Sequence, residues 1–452
     1  MQYGCENFWR MGRRQFFRVG GQGFFGLTMA NLLRSRAEAS APSAGAPATG
    51  RPKANQMIVI WLGGGPPHLD IFDLKPDAPT EIRGEFRPIR TNVPGIDICE
   101  LMPELARVAD KYTILRSCGI GNESWEHSGG AYWMTGNPRR PSTPKYPMYG
   151  NVVARLRPAQ GAVPSFMAFG PINNHSGDIN LNYMGPTYDP LTFNPVNPND
   201  QVRTMLAAPQ LDLSEFDRSQ RLLQSVNRQL RQQDAMDPVI AGMDEFQQRA
   251  FEMLRSPRLR EALDVNRESE QVRRLYDVRG FTGGGGNSSG MSILAARRLI
   301  EAGVPFVYVP IGYWDFHGNN FGQCRSSLPA LSKAVAALIE DLDARGLLDT
   351  TIVTVLGEMG RTPRVETGGG RGHWGTAQSV LVAGGGFRGG AVVGATDRNA
   401  AYVEDKPYKV ESFGRTIYHL LGIDPDQELH TTAGRPIKII LENAPLIREA
   451  LA

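Results

Sequence analysis

The stretch VPFVYVPIGYWDFHGNN, residues 304–320, joins an apolar, β-branched run to a polar motif. Two further runs of the same kind follow along the chain, TTIVTVL at 350–356 and SVLVAGGG at 379–386. Short, continuous apolar runs of this composition are typical of strands that are buried on both faces. We therefore expect three core strands whose connecting residues lie at the edge of a parallel sheet, where α/β enzymes place their chemistry.

A polar motif adjoins each of these runs. WDFHGNN contains Asp315 and His317, GEMGRTP contains Glu358, and GRGHWG contains His373. Each of these residues alone could also cap a turn or lie on the surface. Carboxylate oxygens and imidazole nitrogens together suit zinc, manganese, iron or magnesium better than a metal that prefers thiolates. The cluster therefore indicates a divalent metal site at the sheet edge.

The rest of the chain alternates strand and helix patterns. Further apolar runs that predict strands are MIVIWL (57–62), YTILRS (112–117) and SFMAFG (165–170). Leucine and valine recur at helical spacing over residues 328–342, and a charged, periodic segment at 217–278 predicts two or three amphipathic helices. Strands that alternate with helices predict an α/β protein with a doubly wound core.

The amino-terminal segment has the features of a twin-arginine export signal. Arg13 and Arg14 precede a weakly apolar, glycine-containing stretch that is too short to span a bilayer stably. A small-x-small site ending at Ala39 predicts a signal peptide at 1–39, followed by a linker at 40–55. The alternative is an uncleaved membrane anchor. Cleavage predicts a periplasmic or cell-envelope protein with no stable membrane span after processing.

The composition excludes several classes of protein. A formal net charge of +3 with 21% charged residues is near neutral for 452 residues. The sequence after Arg36 has no basic run of the kind that binds nucleic acid, so we expect no nucleic-acid partner. After cleavage Cys99, Cys118 and Cys324 would remain, an odd number that gives no disulfide framework but allows one pair. The absence of Cys-x-x-Cys excludes a thiolate zinc module. The oligomeric state stays open.

Several motifs together resemble a known family. WLGGGPPHLDIFDLKPDAP, WDFHGNN, GEMGRTP and GRGHW followed by SVLVAGGG resemble the secreted proteins of the domain of unknown function 1501, in the alkaline phosphatase and sulfatase superfamily. The resemblance covers about residues 57–425. It implies a domain over 56–452 with an alkaline phosphatase-like three-layer α/β core and a mostly parallel sheet. Within this domain the charged, periodic segment predicts a helical insertion at about 200–280.

The resemblance also implies a site for metal ions at the sheet edge. In the superfamily's first metal centre, the ligand positions are filled here by Asp315, His317 and His373. In the second centre, the expected aspartate falls at Gly63 or Gly64. The chain therefore matches the first centre and departs from the second.

The second centre still has candidate ligands. The expected Asp-His pair reads Glu358 and Met359, of which only Glu358 can bind a metal ion. His68 and Asp70, just beyond the glycine turn, could supply further ligands. Their alternative role is to cap the loop and to bond its backbone. Zinc is the first choice of ion, with manganese, iron, magnesium or calcium as the alternatives.

The nucleophile that the resemblance implies has no plain counterpart. The superfamily places a Ser, Thr or Cys at the start of a helix, nine residues before a Thr-Gly pair that matches Thr135 and Gly136. The candidates near that position are Ser124, Glu126, His127 and Ser128, with His127 as the first choice. A serine there could equally be a helix cap. Arg361 could clamp an anionic substrate or form a structural ion pair.

Two functions follow from these residues and from the resemblance. The first is a metal-dependent hydrolase of phosphate or sulfate esters in the cell envelope, acting on a small-molecule or polysaccharide ester. The second is a metal-bearing envelope protein without turnover, with a binding or scaffolding role. The ligands of the first centre favour the hydrolase, because such groups are costly to crowd together without a metal. The altered nucleophile position favours the second function.

Overall fold

The computed structural model describes a large part of the chain. The described residues are 52–121, 129–138, 145–161, 163–170, 172, 182–184, 188–193, 256–281, 290–431 and 435–452. The predicted signal peptide, most of the predicted linker and residues 200–255 of the predicted insertion lie outside them. Within the described segments, no helix is both long and apolar enough to cross a lipid bilayer.

An eight-stranded sheet forms the centre of the described structure. In chain order the strands are β1 (Gln56–Trp61), β2 (Pro88–Arg90), β3 (Asp97–Cys99), β4 (Tyr112–Cys118), β5 (Phe166–Phe169), β6 (Leu191–Phe193), β7 (Phe306–Pro310), β8 (Thr351–Leu356), β9 (Gly360–Arg361), β10 (His373–Trp374), β11 (Gln378–Ala383), β12 (Ala391–Val393), β13 (Ala395–Thr396), β14 (Val403–Asp405), β15 (Glu428–His430) and β16 (Pro436–Lys438). The central sheet has the order β12-β4-β11-β8-β1-β7-β5-β6, and the other strands form short two-stranded pairs. Strand β11 pairs antiparallel with both β4 and β8, whereas the other neighbours in the central sheet are parallel.

The helices lie on both sides of this sheet. In chain order they are α1 (His68–Ile71), α2 (Thr80–Arg83), α3 (Pro103–Ala106), α4 (Gly129–Thr135), α5 (Tyr149–Leu156), α6 (Pro257–Leu263), α7 (Glu270–Tyr276), α8 (Gly290–Glu301), α9 (Asn320–Ala344) and α10 (Val410–Leu420). Helices α8 and α9 contribute to the apolar core on one face of the sheet. Helices α5 and α10 contribute to the core on the opposite face.

Covering both faces explains the apolar runs of the sequence. Along β1, Ile58 and Ile60 belong to one core, whereas Met57 and Val59 belong to the other. Successive side chains of a strand point to opposite faces, so a strand buried on both sides needs an apolar residue at every position. The chain therefore forms a three-layer α/β domain with a mostly parallel sheet, and this confirms the predicted fold class.

The direction of β11 decides which segments meet at one edge. The parallel strands β7 and β8 end at the same edge of the sheet, and the motifs WDFHGNN and GEMGRTP follow them. Because β11 runs the opposite way, its first residue lies at that edge too. The motif GRGHWG precedes β11 in the chain. All three polar motifs are therefore brought together at the ends of β7 and β8.

The observed elements extend the predicted ones in several places. The helix expected over 328–342 is the later part of α9, which begins earlier, at Asn320. Helices α6 and α7 lie at the described end of the predicted insertion. The last residues of the predicted linker are held by the core, because Ala54 is buried and donates its N–H to Leu420 O at 2.9 Å.

Candidate metal centre

The loop after β7 carries Asp315 and His317 at the sheet edge. Trp314 and Phe316 in this loop are buried and contact each other, with ring centroids 5.6 Å apart. The N–H of Trp314 donates to Gly63 O at 2.7 Å, which ties the loop to the turn after β1. The two aromatic side chains therefore anchor the loop in the core, whereas Asp315 is partly exposed and His317 is exposed.

Two glycines let neighbouring segments approach this loop closely. Gly64 has a φ of +111°, and a Cβ atom there would lie 2.4 Å from the backbone nitrogen of Asp315. A Cβ atom on Gly370 would lie 1.9 Å from His317 O. Any other residue would overlap the backbone at either position. The glycine turn and the GRGHWG segment are thus in direct contact with the loop that carries Asp315 and His317.

The antiparallel pair of β9 and β10 adds the second histidine. In this pair His373 lies opposite Arg361. The Nε2 atoms of His317 and His373 lie 2.9 Å and 3.0 Å from Oδ1 of Asp315, and 3.0 Å from each other. These three potential ligand atoms therefore form a nearly equilateral triangle, and the structure brings together the residues predicted for the first metal centre.

This triangle fits the ligands of one divalent ion. Bond lengths of about 2.0–2.2 Å put neighbouring ligand atoms about 3.3–3.6 Å apart in tetrahedral geometry and about 2.8–3.1 Å apart in octahedral geometry. The observed separations of 2.9–3.0 Å match the octahedral spacing and are slightly shorter than the tetrahedral one. The side chain of His317 is 50% exposed, whereas those of Asp315 and His373 are 12% and 19% exposed. The centre is therefore anchored on the protein side and open to solvent, as a site that receives a substrate must be.

Both oxygens of the Asp315 carboxylate are held by neighbours. Nη2 of Arg361 lies 2.5 Å from Oδ1, and the Tyr313 hydroxyl donates to Oδ2 at 3.0 Å. Partial burial would raise the pKa of Asp315, but hydrogen bonds from Arg361 and His373 outweigh it and hold the pKa well below its usual range. Burial and the hydrogen bond to Asp315 raise the pKa of the Tyr313 hydroxyl. At neutral pH Asp315 is thus a carboxylate, the form that binds a metal ion.

Arg361 lies beneath the triangle and is fully buried. Besides Asp315, its guanidinium donates to the carbonyl oxygens of Gly64, Gly65, Trp314 and Arg371. A dissolved substrate does not reach a side chain with no exposed surface. Of the two roles that the sequence allows for Arg361, the observed contacts are those of the ion pair, and the anion clamp stays a prediction.

Two candidates for a second centre bind backbone groups. Glu358 is buried, and its Oε1 accepts the N–H of Gly64 at 2.6 Å. His68 is also buried; its Nδ1 accepts the N–H of Arg361 at 3.3 Å, and its Nε2 donates to Ala400 O at 2.9 Å. Burial lowers the pKa of His68, which favours the neutral imidazole that these contacts need. A ligand role for His68 would require these contacts to break, because they use both ring nitrogens. Glu358 could bind an ion through Oε2 and keep its bond to Gly64. Both ligand roles stay predictions.

Asp70 forms a buried fork with Arg371. Nε and Nη2 of Arg371 lie 2.8 Å and 3.0 Å from the two carboxylate oxygens of Asp70, and neither side chain has exposed surface. The side-chain amide of Asn320 also donates to Asp70 at 2.9 Å. Bidentate pairing of this kind fixes both partners. The fork joins α1 to the GRGHWG segment and to the start of α9, so Asp70 supports the loops of the centre without joining the triangle.

The candidates for the nucleophile lie outside the described residues. They are Ser124, Glu126, His127 and Ser128. Helix α4 begins directly after them, at Gly129, where a Cβ atom would lie 2.7 Å from Glu358 O. The described start of α4 is therefore in contact with the segment after β8, at the edge that carries the triangle.

Sequence reasoning missed three residues that support the centre. Tyr313 bonds Asp315, Arg371 bonds Asp70, and Asn320 bonds the same Asp70 carboxylate. Each of them lies inside or beside a motif that stands out for its acidic and histidine residues. Their position could have revealed them, because hydrogen-bond donors that lie close to carboxylates commonly orient metal ligands.

The fold and this cluster define a three-layer α/β protein with a candidate divalent-metal centre at the carboxyl edge of its sheet. The chain belongs to the family described as "Protein of unknown function (DUF1501)", whose profile matches residues 54–451. This membership confirms the family that the motifs indicate. The sequence matches no curated protein.

Several solved structures are similar to this chain at 10% sequence identity. The lipoteichoic acid synthase LtaP from Listeria monocytogenes has a TM-score of 0.40, with 92% of this chain and 82% of that chain covered. Ps i-CgsB in complex with k-i-k-neocarrahexaose has a TM-score of 0.38, with 82% and 72% covered. The phosphonate monoester hydrolase SpPMH from Silicibacter pomeroyi has a TM-score of 0.36, with 89% and 76% covered. These likenesses are distant.

Proposed function

We propose that this protein is a metal-dependent hydrolase of phosphate or sulfate esters that works in the cell envelope. The observation that carries the proposal is the triangle of Asp315, His317 and His373, with ligand atoms 2.9–3.0 Å apart at a sheet edge open to solvent. The motif resemblance to the alkaline phosphatase and sulfatase superfamily supplies the class of reaction. The envelope location rests on the twin-arginine pattern at Arg13 and Arg14.

The chain's own residues would prepare the centre before any substrate binds. Asp315, His317 and His373 would hold the ion, which when bound supplies a positive charge that polarises an ester oxygen and lowers the pKa of a bound water. Arg361 and Tyr313 fix the Asp315 carboxylate from behind, so that it need not reorganise during the reaction. The exposed side of His317 leaves room for the ester to approach.

The burial of Arg361 also favours the second candidate function, a metal-bearing envelope protein without turnover. A phosphate or sulfate ester is anionic, and catalysts of its hydrolysis commonly place a cationic side chain against it. The guanidinium of Arg361 is buried and donates to protein oxygens. A substrate would then have to use the metal ion or a group outside the described residues for its charge.

One set of measurements separates these functions. The metal content of the full-length protein is measured by elemental analysis, and turnover is screened on a phosphate monoester, a phosphate diester and a sulfate ester. We expect bound metal and hydrolysis of at least one ester in the wild type, and loss of both in His373→Ala. His419→Ala, which removes an exposed histidine of α10, is the matched control and should behave as wild type.

The outcomes point in different directions. Bound metal without turnover on any ester would favour the non-catalytic function. Equal metal content in the wild type and in His373→Ala would remove His373 from the site and with it the basis of both functions.

A further inference from the structure

The guanidinium of Arg361 contacts the same Asp315 oxygen as the two histidines of the triangle. We infer that Arg361 serves as the second positive charge of this centre, and that the chain binds a single divalent ion. This inference rests on the proposed function, because it takes Asp315, His317 and His373 as the ligands of that ion.

The surroundings of the guanidinium are those of a bound hard cation. Its contacts are oxygen atoms: Oδ1 of Asp315 at 2.5 Å, Gly65 O at 2.7 Å, Arg371 O at 3.0 Å, Trp314 O at 3.1 Å and the carbonyl of Gly64. Carbonyl and carboxylate oxygens are the groups that bind hard divalent ions in proteins. A fixed cation already occupies this oxygen-lined space and shares Oδ1 of Asp315 with the triangle.

The turn after β1 offers no ligand that could displace the guanidinium. Residues 63–65 are all glycine, so the position where the resemblance implies an aspartate has no side chain. Nor is there room for one at Gly64, because a Cβ atom would lie 2.4 Å from the backbone nitrogen of Asp315. The Oε1 atom of Glu358, the remaining carboxylate expected there, accepts the N–H of Gly64 at 2.6 Å. The glycine turn thus surrounds the guanidinium of Arg361 with backbone carbonyl oxygens and supplies no side-chain ligand.

Charge supports the same assignment. A second divalent ion beside Asp315 would lie next to a buried guanidinium, and like charges in a poorly solvated place repel each other strongly. Arg361 and one divalent ion would already share Oδ1 of Asp315, so a single carboxylate offsets two positive centres there. Arg361 is therefore a positioning residue: it orients Asp315 for the ion and excludes another ion from the space behind it.

The stoichiometry of metal binding tests the inference directly. Full-length protein is stripped with a chelator and titrated with zinc chloride in a calorimeter, and the metal that remains after gel filtration is measured by elemental analysis. We expect one equivalent of zinc per chain. Two tightly bound equivalents would overturn the inference and leave the hydrolase proposal standing. No bound zinc, with none bound when manganese is used instead, would overturn both.

A pair of variants tests the positioning role. Arg361→Lys keeps the charge but loses the fork that reaches several oxygens at once. We expect it to bind one equivalent with a Kd raised about 10- to 100-fold, the usual effect of losing a residue that orients a metal ligand. Arg364→Lys is the control, because Arg364 is 75% exposed and pairs with an exposed Glu81 at 3.5 Å. Its Kd should equal that of the wild type.

An unchanged Kd in Arg361→Lys would contradict the positioning role. Thermal unfolding followed by circular dichroism shows whether that variant is folded. If it is not, the one-or-two stoichiometry of the wild type still decides the inference.

Discussion

Asp315 is the residue on which the candidate centre depends. Its Oδ1 atom lies within 3.0 Å of Arg361 Nη2 and of the Nε2 atoms of His317 and His373. A buried guanidinium needs an anionic partner, and an ion bound by two neutral imidazoles also needs one. A single carboxylate meets both needs, which is why this part of the centre can be compact.

The residues before α4 are where we place the attacking group. Alanine variants at four positions should be assayed on the best ester found, with metal content measured in each: Ser124, Glu126, His127 and Ser128. We expect His127→Ala to lose at least about 100-fold in kcat, because an imidazole there could act as general acid or as nucleophile. Unchanged metal content in that variant would show that the loss is catalytic. If all four variants kept full activity, the chemistry would lie elsewhere.

Asp189 gives a pH-dependent prediction away from the centre. Burial raises the pKa of its carboxyl to about 6, although Asn151 and Asn182 each donate an amide hydrogen bond to it at 3.1 Å. A carboxyl with a raised pKa in the folded state binds a proton there more tightly than in the unfolded chain. Its contribution to stability is therefore most favourable at acid pH and declines as the pH rises from about 4 to about 6.

Asp189→Asn removes the free-energy cost of burying an ionised carboxylate at neutral pH. The asparagine keeps a side-chain oxygen that can accept both amide hydrogen bonds. We expect the variant to have a free energy of unfolding at pH 7 about 1–3 kcal/mol higher than the wild type, since one pKa unit corresponds to about 1.4 kcal/mol. The difference should shrink as the pH is lowered towards 4.5. Urea unfolding at several pH values measures it, with the exposed Asp349→Asn as control. A difference that did not change with pH would contradict the prediction.

Single residues differ in how well the sequence reveals them. Asp315, His317 and His373 could be predicted because each lies in a motif directly beside an apolar run. The burial of Arg361 could not, because it depends on contacts with the turn after β1 that are far away in sequence. The same holds for Asp70, whose partner Arg371 is 301 residues further along the chain.

At the scale of elements, the turn between β1 and α1 is the part least tolerant of change. Gly64→Ala would add a Cβ atom 2.4 Å from the backbone nitrogen of Asp315, at a φ of +111°. We expect it to lower the free energy of unfolding by more than about 3 kcal/mol and to weaken metal binding, because backbone overlap adds to conformational strain. Urea unfolding and a zinc titration measure the two effects.

Gly346→Ala is the matched control for that variant. Gly346 also has a positive φ, of 66°, but a Cβ atom at this position would meet no other atom within 4 Å. The free energy of unfolding of Gly346→Ala should therefore fall only by the strain of the left-handed conformation, about 1 kcal/mol. Equal losses in the two variants would show that the approach of the glycine turn to Asp315 is not tight.

The length of an element decides how well the sequence predicts it. The strands of the central sheet with four or more residues correspond to apolar runs that the sequence shows plainly, as β1 and β8 do. The strands β6 and β12, which are the last and first strands in the order of the central sheet, have three residues each. They are too short to show an alternation of apolar and polar residues. The antiparallel direction of β11 could not be predicted either, because an apolar run has no direction of its own. That direction is what brings His373 to the ends of β7 and β8.

At the scale of the whole molecule, the centre is assembled only when the sheet is complete. The ligands come from the loop after β7 and from the segment before β11. Arg361, which orients Asp315, comes from β9 and bonds the turn after β1. These segments are far apart in the sequence, so we expect their contacts to form only as the core forms. A metal ion would therefore bind the folded domain, and a route that exports folded proteins would suit a protein loaded before export.

We expect the amino-terminal segment to direct the export of the protein. Replacing both Arg13 and Arg14 by lysine should leave the protein in the cytoplasm. The twin-arginine signal is recognised by a receptor. Lysine keeps the positive charge, so a loss of export would come from the loss of the arginines themselves. Cell fractionation followed by immunoblotting measures the distribution. Replacing Arg34 and Arg36 by lysine, which changes two arginines of the same leader outside the pair, should leave export unchanged. Undiminished export of the Arg13 and Arg14 variant would instead assign the protein to the general secretory route, where the chain crosses unfolded and would have to acquire its metal ion afterwards.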